Sequence, residues 1–175
     1  MRVIAGAYRG RRLVRPAGVD TRPTADRVRE ALFSMLGDLE DADVLDLYAG
    51  SGALGIETLS RGAASAVFVD SRGEAVEAIE ANLRTLGATA EVHRRDALEY
   101  LRVVGAKKRY DLVLVDPPYD SALAAAGPLA ELLPGVLHPQ ASIVTESDKR
   151  TPLQLPFPVI RERSYGNTRI AIHRA

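Results

Sequence analysis

The chain has 175 residues, with 23 basic and 23 acidic side chains, three histidines and no cysteine. This length fits one domain with a full hydrophobic core. The absence of cysteine excludes disulfides, thiolate metal sites and a cysteine nucleophile, and the scattered histidines form no metal motif, so we expect no metal. No apolar run reaches 18 residues, which predicts no membrane span and is compatible with a cytoplasmic protein.

Charge is unevenly distributed along the chain although the net charge is zero. Residues 1–30 hold eight arginines against three acids, whereas residues 31–70 hold seven acids against one arginine. A basic arm on a neutral body favours a polyanionic partner. Charge alone would favour a solvated segment, but guanidinium groups bind phosphate through two hydrogen bonds and stack on bases, which shifts the balance a little toward a nucleic acid.

The first predicted element is a short β-hairpin within residues 1–20. Its strands are Arg2–Ala5 and Arg11–Arg15, and its turn lies at Gly6–Gly10. Thr24 then predicts the start of a helix that ends at Leu36, before Gly37.

From Val44 onward, short apolar segments alternate with helical ones. We expect strands at Val44–Leu47, Ala66–Val69, Thr89–His93, Leu112–Val115 and Ser142–Thr145, and helices at Gly52–Ser60, Arg72–Leu86, Ala97–Val104 and Ser121–Leu133. This alternation predicts an α/β fold with right-handed crossovers and a parallel sheet covered on both faces. Two further strands, Val159–Tyr165 and Thr168–His173, are joined by the turn residues Gly166-Asn167 and predict a closing antiparallel hairpin.

A glycine-rich loop follows the first of these strands, in the segment from Asp46 to Gly55 that reads DLYAGSGALG. Its glycines permit a tight turn and a close backbone approach to a ligand, and Asp70 ends the next strand, where a carboxylate can bind both ribose hydroxyls. Enzymes that use NAD and those that use S-adenosylmethionine share this pattern. Asp46 favours the second class because a carboxylate there suits an ammonium and repels a pyrophosphate. Asp96, after the third strand, fits either a helix N-cap or a contact to an adenine amine.

The most informative motif is Asp116-Pro117-Pro118-Tyr119, directly after the apolar strand Leu112–Val115. The prolines fix a turn that has no N–H to donate, so the Asp116 carboxylate and the Pro117 carbonyl form an array of acceptors for a planar –NH2 group. Tyr119 would provide a face on which a base stacks. Holding both amine hydrogens weakens conjugation with the ring and directs the nitrogen lone pair at a methyl group. Guanine, adenine and cytosine all offer such an amine.

The N-terminal segments resemble the RsmD family, the 16S rRNA guanine-N2 methyltransferases. The likeness lies in RVIAGxxRGR from Arg2 and in TRPTxDRVREALF from Thr21. It implies a Rossmann-like S-adenosylmethionine-dependent methyltransferase with a seven-stranded, mostly parallel sheet, in which residues 1–20 form an RNA-binding hairpin extension and residues 21–175 the catalytic domain. It also implies one target guanine in the small ribosomal subunit or its assembly intermediate.

The resemblance also implies roles for individual residues. Asp116, Pro117, Pro118 and Tyr119 would be catalytic. The cofactor would contact Asp46, Tyr48, Ala49, Gly50, Ser51, Gly52, Asp70, Ser71, Asp96 and Ala97. The RNA would contact Arg9, Arg11, Arg12, Arg22, Thr24 and Arg27.

Three other functions remain open on the residues alone. A DNA adenine or cytosine amino-methyltransferase fits the pocket, but the short chain leaves little room for a target-recognition domain. An NAD(P)-dependent oxidoreductase shares the glycine loop but gives no role to the Asp116–Tyr119 motif. A non-catalytic RNA-binding module would leave that motif unexplained. Nothing in the sequence requires a dimer, so we expect a monomer.

Overall fold

The computed structural model describes residues 1–17, 26–104 and 107–175, except the side chains of Val104, Tyr119 and Asp120. Helices and strands alternate through most of the chain. In order they are α1 (Asp26–Leu36), β1 (Asp43–Leu47), α2 (Ala53–Ser60), β2 (Ser65–Asp70), α3 (Gly73–Leu86), β3 (Glu91–Arg94), α4 (Ala97–Val104), β4 (Tyr110–Val115), α5 (Tyr119–Leu132), a 3₁₀ turn (Leu133–Val136), β5 (Leu137–Asp148), β6 (Val159–Tyr165) and β7 (Thr168–Arg174).

The seven strands form one sheet in the order β3-β2-β1-β4-β5-β7-β6. Strands β1 to β5 pair with one another in parallel, and β7 is antiparallel to both β5 and β6. The α/β fold, the seven-stranded mostly parallel sheet and the closing hairpin are therefore confirmed.

Helices cover both faces of the sheet, which explains why the central strands are almost continuously apolar. On one face, Val44, Phe68 and Leu114 pack against α1, α2 and α3. On the other, Leu45 and Val113 pack against α4 and α5. The two helices after β1 and β4, α2 and α5, therefore lie on opposite faces.

The predicted N-terminal hairpin is present but shorter than expected, because Val3 N donates to Arg11 O (3.0 Å) and Leu13 N donates to Met1 O (3.1 Å) around a single antiparallel bridge between Arg2 and Arg12. The backbone N–H groups of Ile4 and Ala5 donate to the carboxylate of Glu57 rather than to a partner strand. These two bonds join the hairpin to α2.

Other boundaries also differ from expectation. β5 begins at Leu137 rather than Ser142, and Gln140 within it has a left-handed φ of 67° beside an irregularity in the pairing with β4. α5 begins directly after Pro118, two residues earlier than expected. The helix N-cap expected at Thr24 lies outside the described residues.

Glu57 attaches the N-terminal extension, residues 1–17, to α2. Its side chain is fully buried and accepts hydrogen bonds from Ile4 N (2.8 Å), Ala5 N (3.0 Å) and Arg61 Nε (2.8 Å). Ser60 on the same helix accepts a bond from Tyr8 N at 2.9 Å. Since Val3 and Leu13 of the extension also join the core on this face, the extension is packed as part of the domain.

Replacement of Glu57 by alanine is expected to lower the free energy of unfolding by about 3 kcal/mol, because two backbone donors and one guanidinium lose a buried acceptor. Urea denaturation measures this loss, and limited proteolysis is expected to cleave the extension faster. The matched control is Glu80→Ala on α3, which removes an exposed pair with Arg84 and should cost under about 0.5 kcal/mol. Equal losses in the two variants would contradict the attachment.

Candidate active site

The sheet order places a crevice between β1 and β4. The helix after β1 leaves toward one face and the helix after β4 toward the other, so the carboxyl ends of these two strands are left open between them. In open α/β sheets, ligands bind at such a switch point. Asp46 lies near the end of β1, and Asp116 follows β4 directly, so the two predicted motifs stand on either side of this crevice.

The glycine loop turns sharply between β1 and α2. Tyr48, Gly50 and Gly52 all have left-handed φ values, of 60°, 58° and 75°, which glycine adopts without steric cost. Ala49 N donates to Val69 O at 3.1 Å, and Gly50 N donates to the Asp70 carboxylate at 2.9 Å. The loop is therefore fixed to the end of β2.

Asp46 lies beneath this loop and is almost fully buried. Its Oδ2 accepts a hydrogen bond from Gly55 N at 2.9 Å, and a Cβ on Gly55 would lie 2.4 Å from the Phe68 ring. Burial raises the pKa of Asp46 to about 8, and the nearby Asp70 charge adds to the rise against the Gly55 hydrogen bond. Asp46 thus braces the start of α2, while its role toward an ammonium remains a prediction.

Asp70 and Asp96 hold the ends of β2 and β3. Asp70 Oδ1 accepts bonds from Arg72 N (3.0 Å) and Arg72 Nε (3.2 Å). Asp96 Oδ1 accepts bonds from Leu98 N and Glu99 N, both at 3.0 Å. Asp96 is therefore an N-cap of α4, which is one of the two alternatives that the sequence left open, and its exposed carboxylate is also accessible to a ligand.

Tyr48 connects the glycine loop to the start of α4. Burial raises the pKa of Tyr48 to about 12, and the Asp96 charge contributes to the rise, so the two side chains are close. The half-buried loop residues Ala49 and Ser51, the exposed Ser71 and the buried Ala97 occupy the same strand ends. All ten residues predicted to contact the cofactor thus lie at the carboxyl ends of β1, β2 and β3 or in the turns that follow them.

The Asp116–Pro118 corner leads from β4 into α5. Pro117 is buried, and Pro118 is the N-cap of α5, with its carbonyl accepting bonds from Ser121 N (3.0 Å) and Ser121 Oγ (3.1 Å). Asp116 is half-buried. Burial raises its pKa well above the ordinary value, and the charges of Glu146 and Asp46 raise it further. Tyr119 begins α5. Its side chain is not among those described, so the stacking of a base on its ring stays a prediction.

Glu146 is a candidate site residue that the sequence analysis missed. It is a buried acid near the end of β5, one residue past the position of Thr145, which pairs with Val115 of β4. Its signal was available, since it directly follows the predicted strand Ser142–Thr145, just as Asp116 directly follows Leu112–Val115. In the described part of the chain, no three His, Cys, Asp or Glu side chains form a group that could hold a metal ion.

The arginines predicted to bind RNA differ in their surroundings. Arg9, Arg12 and Arg27 are exposed, and Arg11 is exposed but donates to Thr85 O at 2.6 Å. Arg22 and Thr24 lie outside the described residues. Arg29, counted in the basic arm, is buried and donates to Arg2 O at 2.6 Å and to Asp26 Oδ1 at 2.8 Å, so it supports the extension from within.

Comparison with known proteins identifies close relatives over the whole chain. A family model described as "Conserved hypothetical protein 95" matches residues 1–174. The chain is 39% identical to "Putative rRNA methyltransferase YlbH" of Bacillus subtilis, covering 99% of this chain and 98% of that protein. It is 34% identical to "Ribosomal RNA small subunit methyltransferase D" of Haemophilus influenzae, covering 95% and 89%. The solved structure "Putative methyltransferase yhhF" from Escherichia coli is 35% identical, with a TM-score of 0.84 over 99% of this chain and 97% of that one.

The raised pKa of Asp46 makes stability depend on pH. Between its ordinary pKa of 3.8 and about 8, the folded state binds one more proton than the unfolded state, so the contribution of Asp46 to stability is full below pH 4 and is lost as pH rises toward 8. Relative to Asp46→Asn, wild type should lose about 1.4 kcal/mol of unfolding free energy per pH unit near pH 6. Chemical denaturation of both proteins across this window measures the difference, and parallel stability curves would contradict it.

Proposed function

Because the chain belongs to the RsmD family, we propose that it is an S-adenosylmethionine-dependent methyltransferase that modifies the exocyclic N2 amine of one guanine in 16S rRNA. One observation carries the proposal: the acceptor-lined corner Asp116–Pro118 faces the glycine loop across the switch point of the sheet. This arrangement brings an amine-binding corner and a nucleoside-binding loop to the same crevice.

The residues at the ends of β1, β2 and β3 fit S-adenosylmethionine, which supplies an activated methyl group on a positively charged sulfur. Three carboxylates, those of Asp46, Asp70 and Asp96, stand in chain order at these strand ends. They match an ammonium, a pair of ribose hydroxyls and an adenine amine. Among them, Asp46 disfavours a dinucleotide because its carboxylate would repel a pyrophosphate, which argues against the oxidoreductase alternative.

The corner after β4 fits the acceptor amine. The Asp116 carboxylate and the Pro117 carbonyl would each accept one amine hydrogen, since neither proline has an N–H to donate. This holds the nitrogen lone pair toward the methyl group. Once the N–C bond forms, the nitrogen must lose a proton, and the raised pKa of Asp116 suits that carboxylate to accept it.

The N-terminal extension and the start of α1 would hold the RNA. Arg9, Arg12 and Arg27 are exposed there and would bind phosphates, while the target guanine turns out of its stack into the crevice. Several related chains are named ribosomal RNA methyltransferases, which supports rRNA over DNA. In the described part of the chain, no helix is both long and apolar enough to cross a membrane. We further propose a cytoplasmic monomer that acts on the small subunit or its assembly intermediate.

Asp116→Ala is expected to lower methyl transfer at least about 10²-fold, because one amine hydrogen loses its acceptor and the proton released by the nitrogen loses its base. Cofactor affinity should change less than about threefold, since Asp116 lies outside the glycine loop. Incubation of small ribosomal subunits with labelled S-adenosylmethionine, followed by mapping of the labelled nucleotide, measures transfer, and calorimetry measures cofactor binding. The control is Glu131→Gln, an exposed acid on α5. Label at a base other than guanine, or full activity in Asp116→Ala, would overturn the proposal.

The double replacement Arg9→Ala and Arg12→Ala is expected to weaken RNA binding and reduce the slope of log affinity against log salt by up to about two units, because two phosphate contacts are lost. The control is Arg102→Ala with Lys107→Ala, two exposed cations at α4 and just beyond it, away from the extension. Filter binding to 16S rRNA at several salt concentrations provides the slopes. An unchanged slope in the Arg9 and Arg12 variant would show that these side chains are only solvated.

A further inference from the structure

A second carboxylate stands beside Asp116 at the same edge of the sheet. In the parallel pair of β4 and β5, Val115 lies opposite Thr145, so the residues that follow them, Asp116 and Glu146, come next to each other and toward the same face. Glu146 is buried. Burial raises the pKa of Asp116, and the charge of Glu146 raises it further, in agreement with the positions that the strand register gives the two groups.

The side chains at this corner are hydrogen-bond acceptors. The carboxylates of Asp116 and Glu146 come together there, and Pro117, which follows Asp116, has no N–H. Each ionised carboxylate offers about four acceptor positions, so Glu146 can serve more than one donor at the same time. A ligand that presents two adjacent donors therefore fits this corner, whereas one that presents a donor beside a lone pair leaves a carboxylate facing an acceptor.

The bases differ in this respect on their Watson–Crick edges. Guanine has the N1–H donor next to the N2 amine. Adenine and cytosine have a ring nitrogen lone pair next to their amines. An everted base is read by hydrogen bonds to this edge, so a pair of acidic acceptors distinguishes guanine from the two other bases with an exocyclic amine.

We propose that Glu146 accepts a hydrogen bond from N1–H of the target base while Asp116 accepts one from its N2 amine, and that this pair of carboxylates selects guanine. The inference rests on the proposed methyl transfer and names the residue that sets its base specificity. Glu146 is thus a specificity-determining residue.

The same contact also assists the reaction. A carboxylate on N1–H increases electron density on the ring and on N2 without removing the N1 proton. The N2 lone pair forms the bond to the methyl carbon as the electron pair of the carbon–sulfur bond leaves with sulfur. N2 then releases one of its own protons to Asp116, and the hydrogen bond between N1–H and Glu146 remains.

A base analogue separates this role from methyl transfer itself. 2-Aminopurine keeps the amine on C2 but has a lone pair at N1 instead of N1–H. Small-subunit particles are assembled with guanine or 2-aminopurine at the position that wild-type enzyme methylates. Wild type should prefer guanine at least about 100-fold in kcat/KM. A site that accepts a hydrogen bond from N1–H strongly rejects the analogue that lacks this hydrogen.

Glu146→Gln should bring the preference below about tenfold, because its amide can accept from N1–H of guanine through Oε1 or donate to the N1 lone pair of 2-aminopurine. Glu146→Asp keeps an acceptor-only group and should retain a preference above about tenfold at a lower rate. Glu131→Gln is the control, and thermal unfolding with S-adenosylhomocysteine binding verifies that each variant is folded.

The outcomes distinguish the two proposals. If wild type is active and Glu146→Gln keeps the same base preference, the specificity role of Glu146 is overturned and the proposed methyl transfer is not. An equal loss on both bases also overturns it, since that result indicates a structural role. If wild type transfers no methyl group to guanine in any particle, the proposed function fails and the inference fails with it.

Discussion

The direction in which the chain leaves β1 and β4 determines where chemistry is possible in this protein. After β1 it turns to the face covered by α1 to α3, and after β4 to the face covered by α4 and α5. Two adjacent parallel strands therefore end without a helix packed across the gap between them. The glycine loop and the Asp116–Pro118 corner are the segments that follow these two strands, so their proximity is a consequence of topology.

The crevice formed in this way concentrates negative charge in a poorly solvated place. Asp46 and Glu146 are buried and Asp116 is half-buried, and the raised pKa values of Asp46 and Asp116 report the cost of ionising them there. A ligand lowers that cost only if it brings positive charge or hydrogen-bond donors. A sulfonium donor with an ammonium group and a base that presents adjacent N–H groups both satisfy this condition, whereas phosphate-rich ligands do not. The electrostatics of the crevice thus favour the methyl donor and the base that accepts the methyl group together.

Features that depend on local sequence were predictable, and those that depend on distant partners were not. The alternation of apolar strands with glycine-terminated helices predicted the fold class, and Gly166-Asn167 predicted the final hairpin, because each signal lies within a few residues. The hairpin that begins at Arg2–Ala5 was predictable, but its attachment to Glu57, more than 50 residues away, was not. The neighbour of Asp116 was missed for a similar reason: Glu146 reaches it only through the register of β4 and β5.

The basic extension and the glycine loop are not independent parts of the molecule, because both bind the same buried side chain. Asn82 of α3 accepts a hydrogen bond from Val14 N at 2.8 Å and donates to Val14 O at 3.1 Å and to Ser51 O at 2.9 Å. A buried amide with both of its polar ends engaged has one low-energy orientation, since any rotation leaves a donor or acceptor unpaired. Through Asn82, the segment that displays the exposed arginines is held at a fixed distance from the loop that begins α2. An RNA bound by the extension would therefore lie at a fixed position relative to the crevice, and the extension would not have to move toward the glycine loop first.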